Sequence, residues 1–332
     1  MRSLSTRQML SIVAPVYNES ESIACFIDEV ARALHELSLP CRYEIVVADD
    51  GSTDGTSETL ANLVERYPGI VRVVRLTRNF GFCEAASAAL HYARGDVVIL
   101  MDADMQDDPE AFSAFLEKWG EGYDVVYAVR TERHDAQFIR TLTWFFYRAL
   151  SFMAKIPLPL DAGTFALMDR RAVDALTGLP ERNRYIPGLR CWIGFKQIGV
   201  PVERRERNHG KSRMGLRRLY DLAIMALFSF SFMPLFIFRF FGVGALVAAL
   251  IIMLASPALV AVQIVEWPLA GIIFLVAFFS GVNLLGIGIL GEYVALIYDE
   301  VRRRPLYLVD AILEKPLSPP SENVSGKDNA TP

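Results

Sequence analysis

Five short β-rich runs, at residues 10–16, 43–48, 71–76, 97–101 and 125–129, alternate with helical patterns at 21–37, 56–66, 83–94 and 110–119. This alternation limits the fold more than any other feature of the chain. Parallel strands need crossover connections, and the helices in those connections cover both faces of the sheet. The run Val97-Val-Ile-Leu-Met has no polar position, as expected of a strand buried on both faces. The predicted class is therefore α/β, with a doubly wound, mostly parallel sheet.

Three of these strands end in polar or acidic residues. The run at 97–101 leads into Asp102-Ala-Asp104-Met-Gln106, the first strand into Asn18-Glu19, and the second into Asp49-Asp50-Gly51-Ser-Thr-Asp-Gly. Taken alone, Asp102-x-Asp104 reads equally well as an acidic turn, since Asp is common in turns. Open α/β sheets, however, bind ligands at the carboxyl ends of their strands, and hard carboxylate oxygens suit Mg²⁺ or Mn²⁺ bridging to a diphosphate. The glycine turn after Asp50 can also bring backbone amides close to a ligand. Three such ends on one rim point to a site rather than to three unrelated turns.

The second half of the chain differs. Residues 240–265 and 267–291 carry no charge and are separated by Glu266. Each exceeds the roughly 20 residues a helix needs to cross a hydrocarbon core of about 30 Å. No Lys or Arg lies between 240 and 301, whereas Arg302, Arg303 and Arg304 follow, so both flanks are expected to be cytoplasmic. The layout predicted is a cytosolic domain at 1–213, an aromatic juxtamembrane segment at 214–238, spans at 239–265 and 267–298, and a cytosolic segment at 299–332. That last segment is Pro, Ser and Asn rich, with disorder expected from about 315. Within the first domain, 138–153 reads as an aromatic helix and 164–168 as a strand. The N-terminus shows no signal-peptide pattern. Cys25, Cys41, Cys83 and Cys191 show neither zinc-site spacing nor disulfide density. With 38 acidic and 34 basic residues, nothing favours a nucleic-acid partner.

Four motifs, Val13-Ala-Pro-Val-Tyr-Asn-Glu, Asp49-Asp-Gly-Ser-Thr-Asp-Gly-Thr, Arg78-Asn-Phe-Gly and Asp102-Ala-Asp-Met-Gln-Asp-Asp-Pro, together resemble the ordered signature of family 2 glycosyltransferases with the GT-A (Rossmann-like) fold. The segments beginning at Asp161 and Pro180, together with the two spans, resemble more narrowly the polyprenyl-phosphate glycosyltransferases. These are relatives of bactoprenol glucosyltransferase and dolichol-phosphate mannose synthase, and the likeness covers about residues 9–305. The resemblance implies that Pro15, Tyr17, Glu19, Asp50 and Asp102 meet the nucleotide of a sugar donor. It implies that Asp102, Asp104 and Gln106 hold Mg²⁺ or Mn²⁺. It also implies that Lys211 and Arg213, in His209-Gly-Lys-Ser-Arg, close over donor and acceptor phosphates. Members often carry a polar residue or Lys at the Phe82 position, and Asp and Arg at the Thr164 and Ala166 positions. These departures leave the sugar open, with UDP-glucose favoured.

Arg130, Arg133 and Arg140 are candidates for the phosphate of a polyprenyl acceptor such as undecaprenyl phosphate, and the outer arginines of 204–218 for anionic headgroups. The reaction implied is an inverting single displacement at the anomeric carbon, at the cytoplasmic face of a cell membrane, with Asp102, Asp104, Asp161 and Lys211 as the catalytic group. A phosphate monoester has its second pKa near 6 and is already mostly dianionic at neutral pH. Asp161 is therefore as readily an orienting group as a base. A homo-oligomer packed through the spans would suit the family. The alternatives are a processive polysaccharide synthase, whose Gln-x-x-Arg-Trp motif is absent, and a non-catalytic membrane scaffold of the same fold.

Overall fold

The computed structural model describes residues 2–130, 162–182, 184–203 and 269–316, with isolated positions 240, 243, 244 and 247. In chain order the elements are β1 (Met9–Val16), α1 (Ile23–Glu36), β2 (Arg42–Asp49), α2 (Thr56–Arg66), β3 (Val71–Leu76), α3 (Phe82–Tyr92), β4 (Val97–Leu100), α4 (Ala111–Gly120) and β5 (Val125–Arg130). There follow β6 (Ala162–Asp169), α5 (Arg170–Thr177), α6 (Ile186–Trp192), β7 (Gln197–Val202), α7 (Leu269–Val301) and β8 (Val309–Glu314). They form one eight-stranded sheet in the order β7-β5-β6-β4-β1-β2-β3-β8.

The block β4-β1-β2-β3 is parallel throughout. The expectation of a mostly parallel sheet fails on either side of it. β6 runs antiparallel to both β4 and β5, and β8 antiparallel to β3, while β7 is parallel to β5. The sheet is thus mixed. β8 shows why an antiparallel strand fits at the edge: its residues alternate half-buried and exposed, so it needs cover on one face only.

Alternate side chains of the central strands feed two cores. On one face Leu10, Ile12, Ile45, Val47, Val97 and Ile99 pack with Phe26 and Ile27 of α1, Leu60 of α2, and Phe112 and Phe115 of α4. On the other, Val13, Val46, Ala48, Val98 and Leu100 meet Ala85, Ala86, Ala88 and Ala89 of α3, Ala172 and Val173 of α5, and Ile186 and Leu189 of α6. The apolar positions of α1, Ile23, Phe26, Ile27, Val30 and Leu34, recur at the three- and four-residue spacing that puts them on one stripe. On α3 the buried positions are mostly alanine, so this helix lies close to the sheet.

One buried ion pair ties the first three strands at the end away from the predicted site. Arg72 Nη2 donates to Glu44 Oε2 at 2.7 Å, and Glu44 Oε1 accepts from Ser11 Oγ and the Arg94 amide, each at 2.6 Å. Both charged side chains are almost fully enclosed.

The C-terminal segment returns to this domain. β8 extends the sheet beside β3, Arg75 pairs with Asp310 and Arg94 with Glu314, and Lys315 is placed against Glu65. The Arg182 amide donates to Glu300 Oε1 at 2.8 Å, and its guanidinium donates to the Arg304 carbonyl, which seats the end of α7 on the domain. Among the described residues α7 alone is long and apolar enough to cross a membrane. It starts and ends close to the predicted span at 267–298. The juxtamembrane segment 214–238, nearly all of the span at 239–265 and the tail beyond 316 lie outside the described residues.

Removing one partner of a buried ion pair typically costs about 3–5 kcal/mol, because the other charge is left uncompensated. Glu44→Gln is expected to lower the free energy of unfolding by that order, and Glu44→Gln with Arg72→Met to recover most of the loss. Denaturation of the two variants by urea checks this; equal destabilisation by both contradicts it.

Candidate active site

Because β4, β1 and β2 are parallel neighbours, their carboxyl ends fall level. Val16 stands opposite Asp49 and Val13 opposite Leu100. The loops that follow interlock through side chains bonded to backbone. Asn18, in the left-handed region at φ 55°, accepts from the Thr53 amide at 2.8 Å, while its own amide donates to Ser52 Oγ at 3.0 Å. The Glu19 amide donates to Thr56 Oγ1 at 2.9 Å, and Glu19 Oε2 accepts from Ser22 Oγ at 2.8 Å. Pro15 is buried in β1, and Tyr17 is exposed just beyond it.

The two acids after β2 turn inward. Asp49 Oδ1 accepts from the Ser52 amide at 3.0 Å and Oδ2 from Ser57 Oγ. Asp50, only 3% exposed, accepts from the amides of Phe80 (2.7 Å) and Gly81 (3.0 Å), and so fixes the β3–α3 loop to the β2 loop. Burial raises the Asp50 carboxyl above its ordinary range, although the two amides oppose the rise. Gly51 lies where these loops meet. At φ 67° it occupies a region glycine favours, and a Cβ there would stand 2.5 Å from the Arg78 carbonyl carbon.

Asp102 and Asp104 occupy the loop after β4, which turns through a left-handed Met105 (φ 62°). Asp102 Oδ1 accepts from Thr164 Oγ1 at 3.2 Å, the Asp102 amide donates to Asp107 Oδ2 at 3.1 Å, and Asp104 Oδ1 accepts from the Gln106 amide at 3.2 Å. Beside them Asp107, Gly163, Thr164, Phe165, Ala128, Val202 and Glu203 line a small hollow. Among the described residues no group of three or more His, Cys, Asp or Glu could hold a metal ion. Two carboxylates on one short loop nevertheless fit a hard cation such as Mg²⁺, which usually binds through one or two carboxylates plus substrate phosphates rather than in an all-protein cage.

Several buried or half-buried titratable groups near these loops, Glu84, Arg184 and Arg190 among them, were passed over in the sequence reading. Glu84, in the first turn of α3, has its carboxyl raised by burial and by the nearby Asp50 charge. Burial pushes the neighbouring Cys83 thiol up to about 12, which removes it as a nucleophile at neutral pH. Arg184 and Arg190 are buried; a charged residue inside the apolar stretch 186–193 was the available signal for Arg190. Of the residues expected to bind the acceptor, Arg130 ends β5 beside Val202. Arg133, Arg140, Asp161, Lys211 and Arg213 lie outside the described residues. All four cysteines are free.

A mixed, doubly covered α/β sheet with an acidic loop at the β4 end is the architecture of a GT-A nucleotide-sugar fold. The family model described as Glycosyl transferase family 2 matches residues 11–177. A Synechocystis protein named as a glycosyltransferase is 37% identical over 306 residues, covering 90% of this chain and 94% of its own. The SfII prophage-derived bactoprenol glucosyl transferase of Shigella flexneri is 35% identical over 304 residues, covering 90% and 97%. Among solved structures, the mannosyltransferase PcManGT from Pyrobaculum calidifontis aligns over 90% of this chain and 87% of its own at 18% identity, with a TM-score of 0.44, too distant to bear on the site. The chain belongs to glycosyltransferase family 2, and it is a glycosyltransferase.

The folded protein holds the Asp50 proton more tightly than the unfolded chain does. The stability this contributes is therefore full below the ordinary value of 3.8 and is lost as pH rises through the higher folded value. Relative to Asp50→Asn, the wild type should lose stability as pH rises from 3.8 through the higher folded value. Thermal melts of both proteins across that range check this, and a difference that does not vary with pH refutes it.

Proposed function

We propose that the protein transfers a sugar, with UDP-glucose the favoured donor, to a polyprenyl phosphate at the cytoplasmic face of a membrane. The observation that carries this reading is the attachment of a carboxylate-rimmed transferase domain to the end of an apolar helix. α7 exposes Val276, Phe278, Leu284, Leu285, Ile287, Leu290, Val294 and Ile297, an apolar surface suited to lipid. Its end is held by Arg182. The bactoprenol and glucosyl terms in the name of the Shigella relative support the same acceptor and sugar. The basic residues after α7, Arg302, Arg303 and Arg304, favour a cytoplasmic position for that end.

In this reading Tyr17 offers its exposed ring to the base, and Pro15, Glu19 and the loop held by Asp50 shape the nucleotide pocket. Asp102 and Asp104, with Gln106 ordering their loop, would hold Mg²⁺ or Mn²⁺, which when bound neutralises the diphosphate. Thr164 keeps the Asp102 carboxylate oriented. Arg130, Arg133, Arg140, Lys211 and Arg213 are assigned to the phosphates. An oxygen of the lipid phosphate forms the new bond to the anomeric carbon. The bond to the diphosphate breaks, its electron pair leaves with the nucleoside diphosphate, and the configuration inverts. No proton need leave a dianionic phosphate, so Asp161 is assigned to orientation. The exposed apolar surface of α7 suits packing between copies in a homo-oligomer.

Full-length protein incubated with UDP-glucose, Mn²⁺ and undecaprenyl phosphate should yield a lipid-linked glucose. Asp104→Asn should abolish the transfer, and Asp161→Asn should reduce it less. Glycolipid formed at the wild-type rate by Asp104→Asn would sink the metal assignment.

A further inference from the structure

Arg190 of α6 is the largest fully enclosed side chain of the described structure, with no exposed surface. Arginine remains protonated in proteins, and no carboxylate pairs with it among the described residues. Its guanidinium is nevertheless firmly placed. Nη1 donates to the Gly163 carbonyl at 3.3 Å, and the central carbon lies 4.7 Å from the centroid of the Tyr127 ring. Ala166 stands opposite Tyr127 on β6 and presents only a methyl group. The α6 backbone is held in turn, since Gln197 Nε2 donates to the Arg190 carbonyl at 2.6 Å.

The two nitrogens left over are Nε and Nη2, neither with a hydrogen-bond partner among the described residues. These are not an arbitrary pair. Their N–H bonds run parallel along one edge of the guanidinium, the fork that grips a phosphate or carboxylate with two bonds. One nitrogen anchors the group and the ring supports its face, while the edge suited to an oxyanion remains. Gly163, which receives the anchoring bond, lines the hollow next to Thr164, whose hydroxyl holds Asp102.

We propose that the Nε/Nη2 edge of Arg190 binds a phosphate oxyanion of the transfer reaction, from the lipid phosphomonoester or from the donor diphosphate. The proposal rests on the reading of the site as a sugar-transfer centre. It adds a residue from α6 to the groups that hold the phosphates. An anion held there would be sealed from water, where charge-assisted hydrogen bonds are strongest.

The first test does not depend on catalysis. Full-length wild type, Arg190→Met and Arg190→Lys are melted in detergent micelles against increasing inorganic phosphate. Phosphate should raise the wild-type midpoint, leave that of Arg190→Met unmoved and give Arg190→Lys a smaller rise, since Lys offers a point charge without the fork. Met is close to Arg in reach, and apolar replacement of a buried charge is often tolerated; should it fail to fold, the Lys variant carries the comparison. No phosphate-dependent rise in the wild type, or an equal rise in Arg190→Met, overturns the proposal.

The second test separates the two sources. Losing a bidentate charged contact should raise one KM by about 10- to 100-fold. A rise confined to undecaprenyl phosphate assigns the fork to the lipid, and one confined to UDP-glucose assigns it to the donor. Both KM values unchanged overturn the proposal. If the wild type makes no glycolipid at all, the functional reading fails while the phosphate melts still decide the role of Arg190.

Discussion

Parallel pairing of β4, β1, β2 and β3 is the constraint on which the rest of this structure depends. Backbone hydrogen bonds fix the register of neighbouring strands, and with all four strands running the same way their carboxyl ends cannot be far out of level. Every group assigned to the donor follows from this. Asn18 and Glu19 leave β1, Asp49 and Asp50 leave β2, and Asp102 and Asp104 leave the end of β4. The loops are then held to one another by side chains bonding backbone amides, with Asp50 spanning the β2 and β3 loops. An acid that the sequence presents as a ligand contact is thus also part of the frame.

Buried charge is treated differently at the two ends of the sheet. At the amino end Glu44 and Arg72 face each other, and the remaining carboxylate capacity is taken up by Ser11 and the Arg94 amide. Such a cluster settles strand order and asks nothing of a ligand. On the side of the transfer rim Arg190 is equally enclosed, but it has no carboxylate partner among the described residues and leaves both Nε and Nη2 without a hydrogen bond, whereas Arg72 leaves only Nε, 3.8 Å from Glu314 Oε2. Native structures leave few polar groups in that condition, and the exceptions call for an explanation. The proposed role of Arg190 rests on this difference in charge pairing more than on the burial of either arginine.

The first nine elements were readable because their apolar periodicity was strong and their ends were marked. Residues 56–66 and 71–76 were placed to the residue, and most other bounds fell within one or two positions. Of the later elements β6 was foreseen at 164–168, whereas α6, β7 and β8 carry features that conceal them. β7 contains Gly199 and Pro201, and Pro is tolerated there because β7 lies at the edge of the sheet. α6 begins Ile186-Pro-Gly, which reads as a turn. β8 is six residues with two acids, and only its pairing with β3, more than two hundred positions away in sequence, makes it a strand. The acidic loop after β4 was legible as the end of an apolar strand. Glu84 and Arg190 were not, because each becomes informative only through burial.

The length of α7 has a consequence of its own. At 33 residues it extends about 50 Å, whereas a hydrocarbon core is about 30 Å thick. With α7 crossing the bilayer as proposed, its surplus length is taken up by tilt or stands clear of the lipid, like a post beneath a platform. Arg182 grips that post at Glu300 and Arg304, and β8 carries the chain on into the sheet. In that reading the catalytic domain is fixed to the helix end, and the tilt and depth of α7 set how far a lipid-borne phosphate must reach. In the proposed reading, then, the seating of α7 in the bilayer is what brings an anchored phosphate within reach of the rim.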